Sequence, residues 1–213
     1  IKQLDTYSMK YIKQIKDRIT MGLPGESAHH EMISELRTHQ MMQFTHKNKP
    51  SDAAVLILLY RKNDEWYIPF IKRAEDNHAH SGQIALPGGR YEISDADFSE
   101  TALRETEEEI GISRELILPV GELTRLYIPP SNYNVYPFIG EYSGNQIDFT
   151  PDKKEVDYVI EVPVKELINP ESITLREFNV KDLRFSTPCF NIQGNIIWGA
   201  TAMIINEFIS LMK

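Results

Sequence analysis

The stretch LPGGRYEISDADFSETALRETEEEIGI, residues 86–112, holds eight carboxylates and only two cationic side chains, Arg90 and Arg104. On a helix of ~3.6 residues per turn, Glu105, Glu108 and Glu109 share one face at i, i+3 and i+4. Like charges so placed repel one another. Arg104, one turn before Glu108, cannot neutralise the set alone. A solvated acidic face is the ordinary explanation of a Glu run. The turn Pro87-Gly88-Gly89 just upstream argues for more, because glycines let backbone carbonyls and amides approach a ligand closely. Carboxylates beside such a turn are hard oxygen donors suited to Mg²⁺ or Mn²⁺.

These residues need a frame. The apolar positions Leu4, Tyr7, Tyr11, Ile12, Ile15 and Ile19 predict an amphipathic helix over 4–20, broken at Gly22-Leu23-Pro24-Gly25. A short helix over 27–36 follows, and residues 47–52 read as a linker. Segments 53–61 and 65–72 are β-rich and flank Lys62-Asn63-Asp64, the pattern of a hairpin. Residues 74–81 read as a loop and 83–86 as a short strand. The glutamates ride on a helix over 97–110, stopped by Gly111. Strands are expected at 116–127, 134–142 and 157–162, with one or two helical turns at 164–168. A hairpin joins 189–192 to 196–198, and a final helix spans 200–212. The class is α+β with a mixed sheet, arranged as a helical extension over 1–46 and a main domain over 47–213.

Composition narrows the partners. A chain of 213 residues suits one core domain with an appendage. Its net charge of −8 argues against nucleic acid or a membrane surface as partner. The lone Cys189 cannot form an intramolecular disulfide and reads as a small buried hydrophobe in a reducing compartment. The longest apolar run, 53–60, is far short of the ~18–20 residues of a membrane span. The first residues lack a signal peptide's apolar stretch. A soluble, cytoplasmic protein is expected. His29 and His30 are expected to face solvent. His78 and His80 lack a further ligand at zinc-site spacing. Trp66 and Trp198 read as packing residues. Tyr127, Tyr133 and Tyr136 suit a strand core better than a stack on adenine.

Gly89, followed by Arg104-Glu105-Thr106-Glu107-Glu108-Glu109-Ile110-Gly111-Ile112, resembles the Nudix box. The resemblance implies an α/β/α sandwich and a hydrolase of nucleoside diphosphates linked to another group. It implies Mg²⁺ or Mn²⁺ held by Glu105, Glu108 and Glu109, with the Gly88 carbonyl as a further ligand. Glu155 matches a position that often completes such a site, and reads equally as a surface Glu beside Lys153 and Lys154. The implied catalytic set is Glu105, Glu108 and Arg104. A Glu orients or deprotonates the water, and Arg104 orients the glutamates.

Phe70-Ile71-Lys72-Arg73-Ala74, with His80-Ser81-Gly82-Gln83-Ile84-Ala85-Leu86-Pro87-Gly88-Gly89, is similar to the signature of the coenzyme A diphosphatase branch. That branch shares a box one residue longer than usual. The likeness implies Arg73 as a phosphate contact, with Ser81, Gly82 and Gln83 shaping the loop that meets the substrate. Arg90 is a second phosphate candidate or a surface partner of Glu92, and Lys72 reads as an exposed strand-end charge. The expected partner is a small nucleotide-derived diphosphate. The alternatives are an ADP-ribose, nucleotide-sugar or dinucleotide pyrophosphatase, or a Nudix-fold binding module without catalysis. The N-terminal helix could serve a homodimer or cap its own domain.

Overall fold

The computed structural model describes residues 2–34, 38–39, 41–75, 82–180 and 183–213. Asn63 and Asp64 both take positive φ, 51° and 64°, the two-residue turn whose twist suits paired strands. It joins β1 (Ser51–Lys62) to β2 (Glu65–Arg73), with Tyr60 opposite Tyr67. β1 begins inside the segment expected as a linker, because Ser51 and Asp52 pair with Tyr133 and Asn134. The expected strand after the loop is β3 (Ile84–Ala85), followed by β4 (Gly88–Arg90).

β1 is the hub. It runs parallel to β7 (Tyr133–Tyr142) and antiparallel to β2 and β4. The eight-stranded mixed sheet runs β3-β2-β1-β7-β5, where β5 is Ile117–Glu122. β6 (Leu126–Ile128) adds to β7, and β8 (Val156–Pro163) adds to β2. The strand expected over 116–127 is therefore two strands. Residues 123–125 interrupt it, where Thr124 N donates to the Glu207 carboxylate at 3.2 Å.

The near-continuous apolar run of β1 fits burial on both faces. One face meets α1 (Lys2–Met21) and α5 (Gly199–Ser210), through Ile12, Ile15, Ile57, Leu59, Phe70 and Phe208, and α2 (Glu26–His30) packs on α5. The other meets α3 (Phe98–Ile110), through Leu56, Leu58, Ile71, Ala102 and Ile110. The result is the expected α/β/α layering. α4 (Val164–Ile168) is short, as expected. Cys189 is buried and its thiol free.

Two further expectations need correcting. α2 ends at His30, and residues 35–37 lie outside the described ones. His29 does not face solvent: it is buried, with Nε2 2.8 Å from Glu207 Oε2. The expected last hairpin forms, with Phe190 opposite Ile197, and lies in a second, three-stranded sheet of β9 (Ile173–Val180), β10 (Leu183–Ile192) and β11 (Asn195–Ile197). β9 went unread because Ile173 and Leu175 are exposed, so the strand carries no clean buried stripe. No helix among the described residues is long and apolar enough to cross a membrane.

Candidate functional site

α3 is fixed at both ends by its own sequence. Asp97 caps it by accepting from Glu100 N at 2.9 Å, and Gly111 closes it at φ 73°. Thr101, Ala102, Thr106 and Ile110 bury one side. That rotation turns Glu109 inward, 2% exposed, and leaves Glu108 in solvent. Glu109 accepts from Gly88 N at 2.8 Å and lies 3.5 Å from Arg73 Nη2. Each glycine of the turn leaves room that a side chain would take, Gly88 beside backbone and Gly89 beside a carboxylate. A Cβ on Gly88, whose φ is 147°, would lie 2.3 Å from the Ala54 carbonyl oxygen. A Cβ on Gly89 would lie 2.4 Å from Glu105 Cδ. The glycines therefore let β4 lie close against β1 and admit the Glu105 carboxylate.

Arg104 is the organiser. Its guanidinium donates to Asp95 (2.8 and 3.0 Å), Glu105 (2.9 Å), Glu108 (3.0 Å) and the Arg90 carbonyl (3.0 Å). Asp95 is itself clasped by Thr101 Oγ1 at 2.8 Å and Glu92 N at 3.0 Å. The hydrogen bonds from Arg104 hold the Asp95 carboxyl well below the usual range. Glu109 and Glu105 shift the opposite way. Burial pushes Glu109 up to about 7, against Arg73 and the Gly88 N–H, with Glu105 and Glu155 pushing further. Burial also raises Glu105, opposed by Arg104 and reinforced by Glu108 and Glu155. Arg73 and Arg104 do not balance these acids, and Arg104 is shared with Asp95.

Glu105, Glu108, Glu109, Arg104, Gly88 and Arg73 thus come together, and exposed Glu155 acts on the group through its charge. Gln83 O accepts from Arg73 N at 3.0 Å, placing the Gly82–Gln83 turn at the end of β2. Lys72, expected to be a strand-end charge, is half-buried and donates to the Gly82 carbonyl. The Arg90 side chain is exposed and makes no ion pair with Glu92 among the described residues. Ser81, His78 and His80 lie outside the described residues. Trp66 packs as expected, its ring centroid 5.1 Å from that of Tyr11. Tyr136 stacks on Phe98 at 3.9 Å and Tyr133 packs on the core. Tyr127 is exposed instead, its hydroxyl bonding Asn132.

The sequence reading missed the Asp95 clasp on Arg104. Its signal was an acid just upstream of the helix, with nothing to say which cation it would meet.

Among the described residues, no three His, Cys, Asp or Glu side chains already converge as a group that could hold a metal ion. The donor chemistry nevertheless fits one. Glu105, Glu108, Glu109, Glu155 and the Gly88 carbonyl offer hard oxygens, and the raised Glu105 and Glu109 mark negative charge short of a counter-charge.

The model of the NUDIX domain matches residues 50–185. This chain belongs to the NUDIX family. It is 31% identical over 163 residues to Nudix hydrolase 22, chloroplastic, of Arabidopsis thaliana, covering 74% of this chain and 54% of that one. The chain therefore spans about half the length of that relative. It is 25% identical over 210 residues to Nudix hydrolase 3 of Caenorhabditis elegans, covering 89% and 86% of the two chains. It is 31% identical over 155 residues to the Nudix hydrolase NudL of Yersinia pestis, covering 73% and 76%. Nudix hydrolases act on diphosphate linkages with divalent metal ions, and this chain is of that class.

Proposed function

We propose that this Nudix hydrolase cleaves the diphosphate of coenzyme A or an acyl-coenzyme A, giving 3′,5′-ADP and 4′-phosphopantetheine or its acyl form. The observation that carries this reading is a meeting of two motifs. Arg73, from the segment similar to the coenzyme A branch, reaches the Gly88 carbonyl at 3.2 Å and Glu109 at 3.5 Å. A guanidinium at that point grips phosphate oxygens where the carboxylates gather.

In this reading Glu105, Glu108, Glu109, Glu155 and the Gly88 carbonyl hold Mg²⁺ or Mn²⁺. The bound ion supplies charge neutralisation for the phosphoryl oxygens and a lowered pKa for water. Glu105 or Glu108 receives the proton of the attacking water. Arg104, anchored on Asp95, keeps those two carboxylates aimed. Arg73 and Arg90 take phosphate oxygens, and the Ser81-Gly82-Gln83 turn borders the substrate. Residues 1–46 form a helical extension on a hydrolase domain over 47–213, and the protein works in the cytoplasm.

The test is a panel of coenzyme A, acetyl-coenzyme A, ADP-ribose, NADH, a nucleotide sugar and a nucleoside triphosphate, with Mg²⁺ and with Mn²⁺, read by product chromatography. Release of 3′,5′-ADP, lost in Glu108→Gln, is expected. Turnover of ADP-ribose alone overturns the branch and keeps the chemistry.

A further inference from the structure

Where the end of β2 meets the second sheet lies a cavity of about 560 Å³ that the acidic cluster does not use. Its walls include Lys72, Gln83, Tyr158, Arg176, Phe178 and Trp198. The volume falls within the ~300–1,000 Å³ of small-molecule pockets.

Two kinds of side chain face it. Arg176 and Phe178, two apart on β9, project to the same side of the sheet. Phe178 stacks on Trp198 with centroids 4.4 Å apart and planes at 26°. Tyr158, at the start of β8, is 44% exposed. Among the described residues Arg176 makes no ion pair, whereas its neighbour Glu177 is matched by Arg184 at 2.7 Å. An unmatched guanidinium beside aromatic faces suits a purine that carries a phosphate of its own. A chain of methylenes and amides would have no need of the guanidinium.

The cavity and the acidic cluster share the end of β2. Lys72 directly precedes Arg73 on β2, and Gln83, in its wall, accepts from Arg73 N. We propose that this cavity seats the 3′-phosphorylated adenosine end of the substrate. Trp198 and Tyr158 face the purine, and Arg176 takes the 3′-phosphate. The assignment rests on the coenzyme A reading above, and its test separates the two.

Isothermal titration compares adenosine 3′,5′-bisphosphate with adenosine 5′-monophosphate, on the wild-type chain, Arg176→Ala and Arg176→Lys. Arg176 is exposed, so both variants keep the fold. The wild type should bind the bisphosphate at least about tenfold more tightly, the worth of one charge-assisted contact. Arg176→Ala should bind the two alike, and Arg176→Lys should recover part of the difference. Equal affinities in the wild type, or a preference that survives Arg176→Ala, overturn the subsite. In kinetics, Arg176→Ala should raise KM for coenzyme A, leave kcat, and leave KM for 3′-dephospho-coenzyme A. Hydrolysis of coenzyme A with no preference over the dephospho form sinks the subsite and spares the substrate reading. An Arg176-dependent preference in binding, without hydrolysis of coenzyme A, does the reverse.

Discussion

Glu109 and Glu207 are both glutamates on helices, 2% and 0% exposed, and the protein shifts them in opposite directions. Burial pushes Glu207 up, but the bonds from His29 and Thr124 more than reverse this and hold it below the usual range. Its carboxylate has Thr124 Oγ1 at 2.6 Å, His29 Nε2 at 2.8 Å, and the Thr124 and Gly25 amides at 3.2 Å. Glu109 has one amide at 2.8 Å and a guanidinium at 3.5 Å, with Glu105 and Glu155 acting against it. Burial alone therefore does not mark a working acid. The shortfall of donors is what sets the proposed metal ligand Glu109 apart from Glu207, which holds the fold.

Exchanging each acid for its amide is the sharpest way to break this contrast. Glu109→Gln should cut turnover at least about a hundredfold, yet leave metal-free stability at neutral pH undiminished or raised, because the amide removes a buried charge. Glu207→Gln should lower stability by about 3 kcal/mol and leave the folded fraction active. Urea melts beside steady-state rates decide it, and equal stability losses would erase the distinction.

pH sharpens it next. A raised acid favours the fold below its unfolded pKa and loses that contribution as pH rises through the folded one. Measured against Glu109→Gln, metal-free wild-type stability should thus fall as pH rises from 4.5 to about 7. Glu207 has the opposite sign. Measured against Glu207→Gln, its contribution is full above 4.5 and vanishes as pH falls through its lowered value. Parallel stability profiles for the two variants would contradict both assignments.

The smallest effect expected comes from Gly89→Ala. The new Cβ would press on the Glu105 carboxylate, the far end of a flexible side chain, so the fold should survive and turnover fall about tenfold. A thermal melt with a rate measurement checks both halves.

Much of this was legible in the sequence where the signal is local. α3 announced itself through its start near Asp97 and its stop at Gly111, and the first hairpin through Lys62-Asn63-Asp64 between β-rich runs. The Glu face followed from helical spacing alone. What stayed hidden depends on distant partners. His29 looked like a surface residue until Glu207, 178 positions on, came to meet it. The hold of Asp95 on Arg104 and the reach of Arg73 to Glu109 need the turn at Gly88–Gly89, which spacing does not position.

The seating of α1 and α2 bears on any shortened form of the chain. A protein starting at residue 47 would retain every acid of the candidate site. It would lose His29 and the Gly25 amide, leaving Glu207 with Thr124. Asn206 would lose its bonds to the Ala28 carbonyl, 2.7 Å, and Glu31, 3.0 Å. Ile19, which occupies the space a side chain at Gly121 would fill, would leave β5 bare. Such a truncate would carry every acid of the candidate site on a sheet whose one face kept α5 but had lost α1 and α2. It would fail through aggregation before its chemistry could be assayed.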